Sequence, residues 1–385
     1  MAADIEERED RELLAATVRR FAREQIAPYV TQWDDAGEFP RELYRQAAAL
    51  GLLGLGYPQA LGGTPASSGL RATLWVELCR HGGSGGVLAS LLSHNIGLPP
   101  VLALGSAALQ QQIIAPVLAG EQIAGLAITE PGGGSDVAAL RTRARREGNE
   151  YVIDGEKTFI TSGMRADWLT VAVRTGDAGA PGGGISLLAV PGNSRGLSRS
   201  RLEKMGWQCS DTAHLHFDGV RVPASHLLGE EGQGFKAIMH NFNSERFGIA
   251  CGALGFAMAC YDEALAWAQQ RKAFGSTLNQ HQVIRHKLVD MQQRIRSTAA
   301  WVEAVAARAD GGDTGHDWVG EVCVLKNHAT QAMQFCADTA VQILGGMGFM
   351  RGTVSERIYR EVKVLTIGGG TDEIMKELAA RQWQI

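Results

Sequence analysis

The spacing of apolar residues changes twice along this chain, and those two changes constrain its fold more than any other feature. Up to residue 122 the spacing is helical. Leu14, Val18, Phe21 and Ile26 share one face of a helix expected over 11–27, which Pro28 ends. The pair Phe39-Pro40 opens a helix that runs to Leu50, a loop carrying Gly54, Gly56, Pro58, Gly62 and Gly63 follows, and helical spacing returns at 70–81, 87–93 and 107–118. From 123 to about 232 the pattern alternates instead, at 151–155, 168–173, 185–190 and 213–217, with Gly and Pro between the runs. The Gly, Ala, Asp and Pro residues of 176–184 read as a surface turn, and Val222-Pro223 with Gly229, Gly232 and Gly234 marks the exit from the strands. Helical spacing then holds to the C-terminus. This order predicts an α+β chain: an all-α domain over 1–122, a small β domain over 123–232, and a helical domain over 233–385 long enough for a four-helix bundle.

The totals narrow the function classes. With 385 residues, 45% hydrophobic and 20% charged, the chain has interior enough to bury a cofactor. A net charge of -4 lacks the basic excess that nucleic acid would require. The six cysteines, Cys79, Cys209, Cys251, Cys260, Cys323 and Cys336, include no CxxC pair, so reduced thiols are expected rather than disulfides or a zinc site. The first twelve residues are acidic, unlike a mitochondrial presequence, and have no apolar stretch like that of a secretory signal; a cytoplasmic location is the expectation. No apolar run approaches the roughly 20 residues that span a bilayer, so no membrane span is expected.

Two segments carry ligand chemistry. In Leu126-Ala127-Ile128-Thr129-Glu130-Pro131-Gly132-Gly133-Gly134-Ser135-Asp136, a short apolar strand over 123–128 is stopped by a proline and three glycines. The backbone N–H groups of the three glycines are left uncovered, between two hydroxyls and a carboxylate. After one strand-turn-strand excursion comes a second hydroxyl-rich stretch, Gly155-Glu156-Lys157-Thr158-Phe159-Ile160-Thr161-Ser162-Gly163. No GxGxxG opens a βαβ unit, and neither HExxH nor GxSxG occurs, so a nicotinamide, zinc-peptidase or serine-hydrolase site has no support.

The pair of segments resembles the acyl-CoA dehydrogenase family, whose pattern [GAC][LIVM][ST]Exx[GSAN]G[ST]D is met at every position of 127–136. The resemblance implies a central β-barrel-like domain and bound FAD, with Leu126, Ala127, Ile128, Thr129, Gly134 and Ser135 along the flavin and its phosphates. Phe159, Ile160 and Thr161 would close over the isoalloxazine, with Phe159 where many members carry Trp. Two later stretches match as well. Arg271-Lys272-Ala273-Phe274-Gly275 precedes His281-Gln282, and Gln342-Ile343-Leu344-Gly345-Gly346-Met347-Gly348-Phe349 keeps the family's glycine and aromatic order. In the family these reach a flavin across a subunit interface, which implies cofactor contacts from Arg271, Phe274, His281, Gln282, Gln342, Ile343, Gly345 and Gly346, and a homotetramer. One departure stands out: Gly352 takes a place usually held by an acid or amide, although Arg357 and Glu361 agree with the pattern.

Dehydrogenating a thioester at its α and β carbons requires a base for the α proton and a hydride acceptor on the opposite face. In the commoner members the base is the Glu of a Tyr-Glu-Gly-Thr motif, but here that place reads Gly368-Gly369-Gly370-Thr371, with Gly369 27 residues after Gln342 as the family has it. A second branch, resembling isovaleryl- and long-chain acyl-CoA dehydrogenases, puts the base in a Glu-Arg pair on a bundle helix, and Glu245-Arg246 matches it. Ile238, Phe242, Glu245, Ile249, Gly252 and Phe256 recur at helical spacing, so Glu245 sits out of pattern on an apolar stripe, where burial raises a carboxyl pKa toward the working range of a base. The alternative for Glu245 is an ion pair with a bundle cation.

The resemblance further implies a Gly369 N–H that holds the thioester carbonyl, and substrate contacts from Ser135, Asn243, Arg246 and Gly370. Thr371 and Glu373 would sit beside the cofactor, with Glu130, Glu373 and Asp372 structural or cofactor-facing. An electron-transfer flavoprotein would be the acceptor. Three glycines in place of a tyrosine-bearing motif predict room for a branched or bulky acyl group. Two alternatives remain open at this point: the same chemistry on a carrier-protein thioester, and a non-catalytic flavoprotein, against which Glu245 argues.

Overall fold

The computed structural model describes residues 2–176 and 184–385, so most of the turn expected over 176–184 lies outside the described residues. Helices fill the first third: α1 (Ala2–Phe21), α2 (Val30–Ala36), α3 (Glu42–Ala49), α4 (Ser68–Gly82), α5 (Gly85–Leu91), α6 (His94–Gly97), α7 (Pro99–Leu104) and α8 (Ala107–Leu118). Their starts follow local chemistry. Ser67, Ser84 and Ser106 each accept a backbone N–H of the first turn, from Leu70, Val87 and Leu109, which supplies partners that helix N-termini otherwise lack. The first helix begins at Ala2 rather than near 11, because its acidic first turns follow no apolar stripe, and a π-helical turn, Ala22–Ile26, carries it to Pro28.

The middle third holds β1 (Ala124–Ala127), β2 (Arg143–Glu147), β3 (Glu150–Thr161), β4 (Trp168–Arg174), β5 (Ile185–Pro191), β6 (Leu197–Arg201), β7 (Thr212–Pro223) and β8 (Leu227–Leu228). They form one sheet in the order β6-β7-β3-β2-β4-β5-β8, with β1 added in parallel to β4. The sheet wraps a core of its own. Leu169, Val171 and Val173 of β4 and Leu188 and Val190 of β5 face Ile153, Leu215 and Phe217 within it. Their alternates, Trp168 and Ala172 with Ile185, Leu187 and Ala189, pack outward on α7, α8 and Ile238. Both faces of these two strands are therefore buried, which is why they read as continuous apolar runs. Strands β2 and β6 escape the alternation signal because Ala144 alone is buried on β2 and no residue is buried on β6.

The last third is a bundle: α9 (Gly234–Gln270), a small hairpin of β9 (Lys272–Ala273) and β10 (Ser276–Thr277), then α10 (Gln282–Asp310), α11 (His316–Leu344), α12 (Gly346–Phe349), α13 (Val354–Leu365) and α14 (Asp372–Trp383). Helix α9 lies at its centre, packed on α11, α4, α10 and α13. Among the described residues α9 is long and apolar enough by length and composition to cross a bilayer, but 61% of that apolar window is buried inside the protein, as a helix apolar on every side must be. It approaches α4 through glycine: a Cβ on Gly255 would stand 2.7 Å from the Cβ of Cys79 and 3.1 Å from the Val76 carbonyl carbon. All six cysteines are buried free thiols.

Candidate active site

A carboxyl group is buried on α9. Ile238 and Ile249, on the same stripe, are core residues, and the helical period places Glu245 between them. Its Oε2 atom is fully enclosed and has no hydrogen-bond partner among the described residues. Desolvation pushes the Glu245 carboxyl up to about 7, while the neighbouring cations Arg246 and Lys326 act in the opposite direction. The expected alternative, an ion pair to a bundle cation, is not formed: neither cation lies within ion-pair distance of it among the described residues.

Facing Glu245 is the turn between α13 and α14. A Cβ on Gly369 would lie 3.9 Å from Glu245 Oε1 but only 2.8 Å from Ile249 Cδ1, and Gly369 holds φ +68, so glycine is required there on two counts. Gly370 follows at φ +107. The N–H groups of Gly369 and Gly370 donate to no acceptor among the described residues, whereas their carbonyls are both taken. Arg246 Nε donates to Gly369 O at 3.0 Å and Lys326 Nζ to Gly370 O at 2.7 Å. Arg246 is buried, donates also to Asn243 Oδ1 at 3.0 Å, and lies over the Phe242 ring. The structure thus turns Arg246 and Asn243, both expected at the substrate, toward each other and the glycine turn. Thr371 accepts the Ile374 N–H as the N-cap of α14, and Glu373 is exposed in its first turn, its carboxyl held below the usual range by its own backbone N–H and the Thr371 hydroxyl.

The hydroxyl-rich loop is built on Glu130. Lys157, buried on β3, donates to Glu130 Oε1 at 2.8 Å and to Ile128 O at 2.9 Å, and the same carboxylate accepts the N–H groups of Arg141 and Thr142. Glu130 is therefore structural, held below its ordinary pKa chiefly by Lys157 against its own burial. Reciprocal bonds between Glu130 and Gly133 close the turn, and residues 131–136 are exposed. The hydroxyls of Thr129, Ser135 and Thr161 have no partner among the described residues. Phe159 is 69% exposed at φ +60, because β3 shifts register against β7 between Lys157 and Ile160 and the bulge turns the ring outward. Leu126 is half-buried, but Ala127, Ile128 and Ile160 are core side chains. Their side chains point into the core, which leaves the backbone of these three as the part that could meet a ligand.

The two bundle stretches stand apart from that loop, with no hydrogen bond joining them to it among the described residues. Arg271, Phe274, Gln282, Gln342, Gly345 and Gly346 are exposed, and the polar side chains among them have no partner there. His281 Nε2 bonds Ser276 Oγ and Ala273 O, which fixes the hairpin that presents Phe274. Ile343, near the end of α11, is a core side chain, so its backbone is the part that could meet a ligand. Gly352 sits at φ +109 with open space around it, so an acid or amide there would be strained by the backbone, not by crowding.

Lys326 was not singled out by its sequence context. A lysine ending the apolar run Val322-Cys323-Val324-Leu325 on one helix gives no sign of the carbonyl it meets 44 residues later.

Unpartnered hydroxyls, bare glycine N–H groups, an outward aromatic face and exposed guanidinium and amide groups form a donor set that fits a phosphate-bearing aromatic cofactor. Comparisons with known proteins agree. The family description "Acyl-CoA dehydrogenase, N-terminal domain" matches residues 8–121, "middle domain" matches 125–220 and "C-terminal domain" matches 232–384. A solved structure of a probable acyl CoA dehydrogenase from Mycobacterium abscessus is 47% identical, with 97% of this chain and 98% of that one covered and a TM-score of 0.93. The long-chain specific acyl-CoA dehydrogenase, mitochondrial, of Rattus norvegicus is 35% identical over 380 residues, 97% of this chain and 86% of the relative. The cyclohexane-1-carbonyl-CoA dehydrogenase of Geobacter metallireducens is 35% identical over 376 residues, 97% of each chain. The chain belongs to the acyl-CoA dehydrogenase family, flavin-dependent oxidoreductases that act on CH–CH bonds.

Proposed function

We propose that the protein uses FAD to convert an acyl-CoA thioester to its trans-2-enoyl-CoA, with Glu245 as the base that takes the α proton. The observation that carries this reading is the enclosed, unpartnered Glu245 Oε2 opposite the free N–H groups of the glycine turn. FAD, when bound, supplies the acceptor for the β hydrogen, taken as hydride. The chain does the rest. Glu245, ionised above about pH 7, receives the proton at the enclosed Oε2, where the burial that raises its carboxyl also keeps water from competing for it. The Gly369 N–H donates to the thioester carbonyl and stabilises the charge that grows there as the proton leaves.

Thr129, Gly134, Ser135, Phe159 and Thr161 would hold the flavin of their own protomer. Arg271, Phe274, His281, Gln282, Gln342, Gly345 and Gly346 would hold the flavin of a second copy in a homotetramer, a role supported by the exposure of Phe274 (99%) and Phe349 (86%). An electron-transfer flavoprotein is the acceptor this reading assigns. For the acyl group we infer a branched or cyclic chain: Gly368, Gly369 and Gly370 place no side chain beside the base, and the cyclohexane-1-carbonyl-CoA relative works on a bulky acyl group by its name.

The test is anaerobic mixing of the flavin-loaded protein with straight, branched and alicyclic acyl-CoAs, following flavin bleaching in wild type and E245Q. Fast bleaching by the branched or alicyclic set, with E245Q binding the same compound but reducing at least about a hundredfold more slowly, is the expected result. Equal rates in the two proteins would remove Glu245 from the mechanism. Faster bleaching with straight chains would overturn the substrate class alone.

A further inference from the structure

We propose that Lys326 is a positioning residue of the dehydrogenation: with Arg246 it grips the glycine turn from behind, so that the free N–H groups of the turn and the carboxylate of Glu245 face one substrate. The proposal rests on the assignment of Glu245 as base. Lys326 is fully buried on α11, and its Nζ donates to Gly370 O, while Arg246, from α9, donates to Gly369 O. Two successive carbonyls of one turn are thus held by two cations from two different helices. In a trans peptide the C=O and the following N–H point in opposite directions, so the Gly369 carbonyl held by Arg246 sends the Gly370 N–H the other way, and Lys326 fixes the next peptide, so that neither peptide plane flanking Gly370 can turn. Glycines at φ +68 and +107 have no side chain to hold them in that conformation, and the two cations supply the hydrogen bonds that their carbonyls make.

A structural hydrogen bond alone does not account for a lysine here. No carboxylate lies within ion-pair distance of Nζ among the described residues, and a neutral donor would satisfy Gly370 O without the cost of burying a charge. The groups that face Lys326 are Asp372 from α14, Arg246 and Glu245 from α9, and Cys323 on its own helix. Burial pulls the lysine down to about 8, so it is mainly cationic at neutral pH, and its charge together with that of Arg246 favours the ionised form of Glu245. Orientation of the turn and ionisation of the base then depend on the same side chain.

Three variants separate this role from simple support of the fold. K326M removes donor and charge, K326Q keeps a donor without charge, and K326R keeps the charge. In pH profiles of kcat/KM, and in infrared titration of the Glu245 carboxyl (identified by its absence in E245Q), K326M and K326Q are expected to move the acid limb and the carboxyl titration upward by about one pH unit. At neutral pH kcat is expected to fall by about ten- to hundredfold with little change in KM. K326R is expected to restore the limb. A wild-type limb and wild-type kcat in K326Q would overturn the proposal, as would recovery by K326Q equal to that by K326R, which would leave only a structural hydrogen bond. If K326M does not fold, K326Q against K326R decides alone. A wild-type rate in E245Q would instead remove the base assignment, and that outcome is distinguishable because it leaves the Lys326 variants irrelevant to the rate.

Discussion

As the proposed base, Glu245 has two roles that conflict energetically, since the enclosure that would make its carboxyl a useful base also penalises the charge it must carry. Because the group must be ionised to accept a proton, kcat/KM should rise with pH through about 7 and level off above it; a profile flat from pH 5.5 to 8.5 would contradict the assignment. Stability should move the other way. The folded-state value, about 7, lies above the ordinary 4.5, so the folded protein binds more protons than the unfolded chain between those two values. The contribution of Glu245 to stability is therefore complete below about pH 4.5 and is lost as pH rises through 7. Glutamine carries no charge to bury at any pH. The melting temperature of E245Q should accordingly match wild type near pH 5 and exceed it progressively toward pH 8; a difference independent of pH would mean the carboxyl is solvated after all.

Helix α9 carries the proposed base and packs closely against α4, and Gly255 shows how tightly that element is committed. In an isolated helix alanine would be favoured over glycine by about 1 kcal/mol. Here the added methyl would stand 2.7 Å from the Cβ of Cys79 on α4, so the helices must part, and overpacking of this kind costs about 1–3 kcal/mol. We expect G255A to be destabilised in urea unfolding; a gain in stability would show that propensity wins and that the α4–α9 contact gives way readily. The apolar stripe of α9, with Glu245 out of pattern on it, was legible from the sequence, as were β4 and β5, since these elements are periodic in what they bury. Strands β2 and β6 were not, because neither buries more than one residue. The β3 bulge that turns Phe159 outward depends on register with β7, 50 and more residues away, and one strand read alone carries no record of it. Lys326 was hidden for the same reason: its partner is a backbone carbonyl in another element. The burial of Ala127 and Ile128 was legible in the apolar run over 123–128, while that of Ile160 and Ile343 was not, because a family pattern marks positions near a ligand without saying whether side chain or backbone does the contacting.

At the scale of the whole molecule, two buried carboxylates join parts of the chain that share little sequence. Asp34, on α2, accepts the Cys209 N–H at 3.1 Å from the loop before β7 and pairs with Arg357 of α13 at 3.2 Å. Arg357 in turn donates to Gly83 O and to the Thr31 hydroxyl. One turn further along α13, Glu361 accepts the N–H groups of Gly85 and Trp207, and burial lifts its carboxyl to about 7. The N-terminal helices, the sheet and the bundle therefore meet at a single polar junction, and through it the bundle helices that carry Glu245 and the glycine turn are tied to the sheet that carries the hydroxyl loop. Such a junction is worth more when broken from one side than when removed whole. D34A leaves the Arg357 guanidinium buried without its carboxylate, which should cost about 3–5 kcal/mol. R357M leaves Asp34 with the Cys209 N–H but no cation. The double variant D34A/R357M leaves neither charge exposed to an apolar surrounding, so its loss should fall well short of the sum of the singles. Urea unfolding of the four proteins measures the difference as a coupling energy, expected at about 1–3 kcal/mol for partners in direct contact. If the single losses simply add, the pair is not a coupled unit, and the three parts of the chain are held in register by their apolar contacts alone.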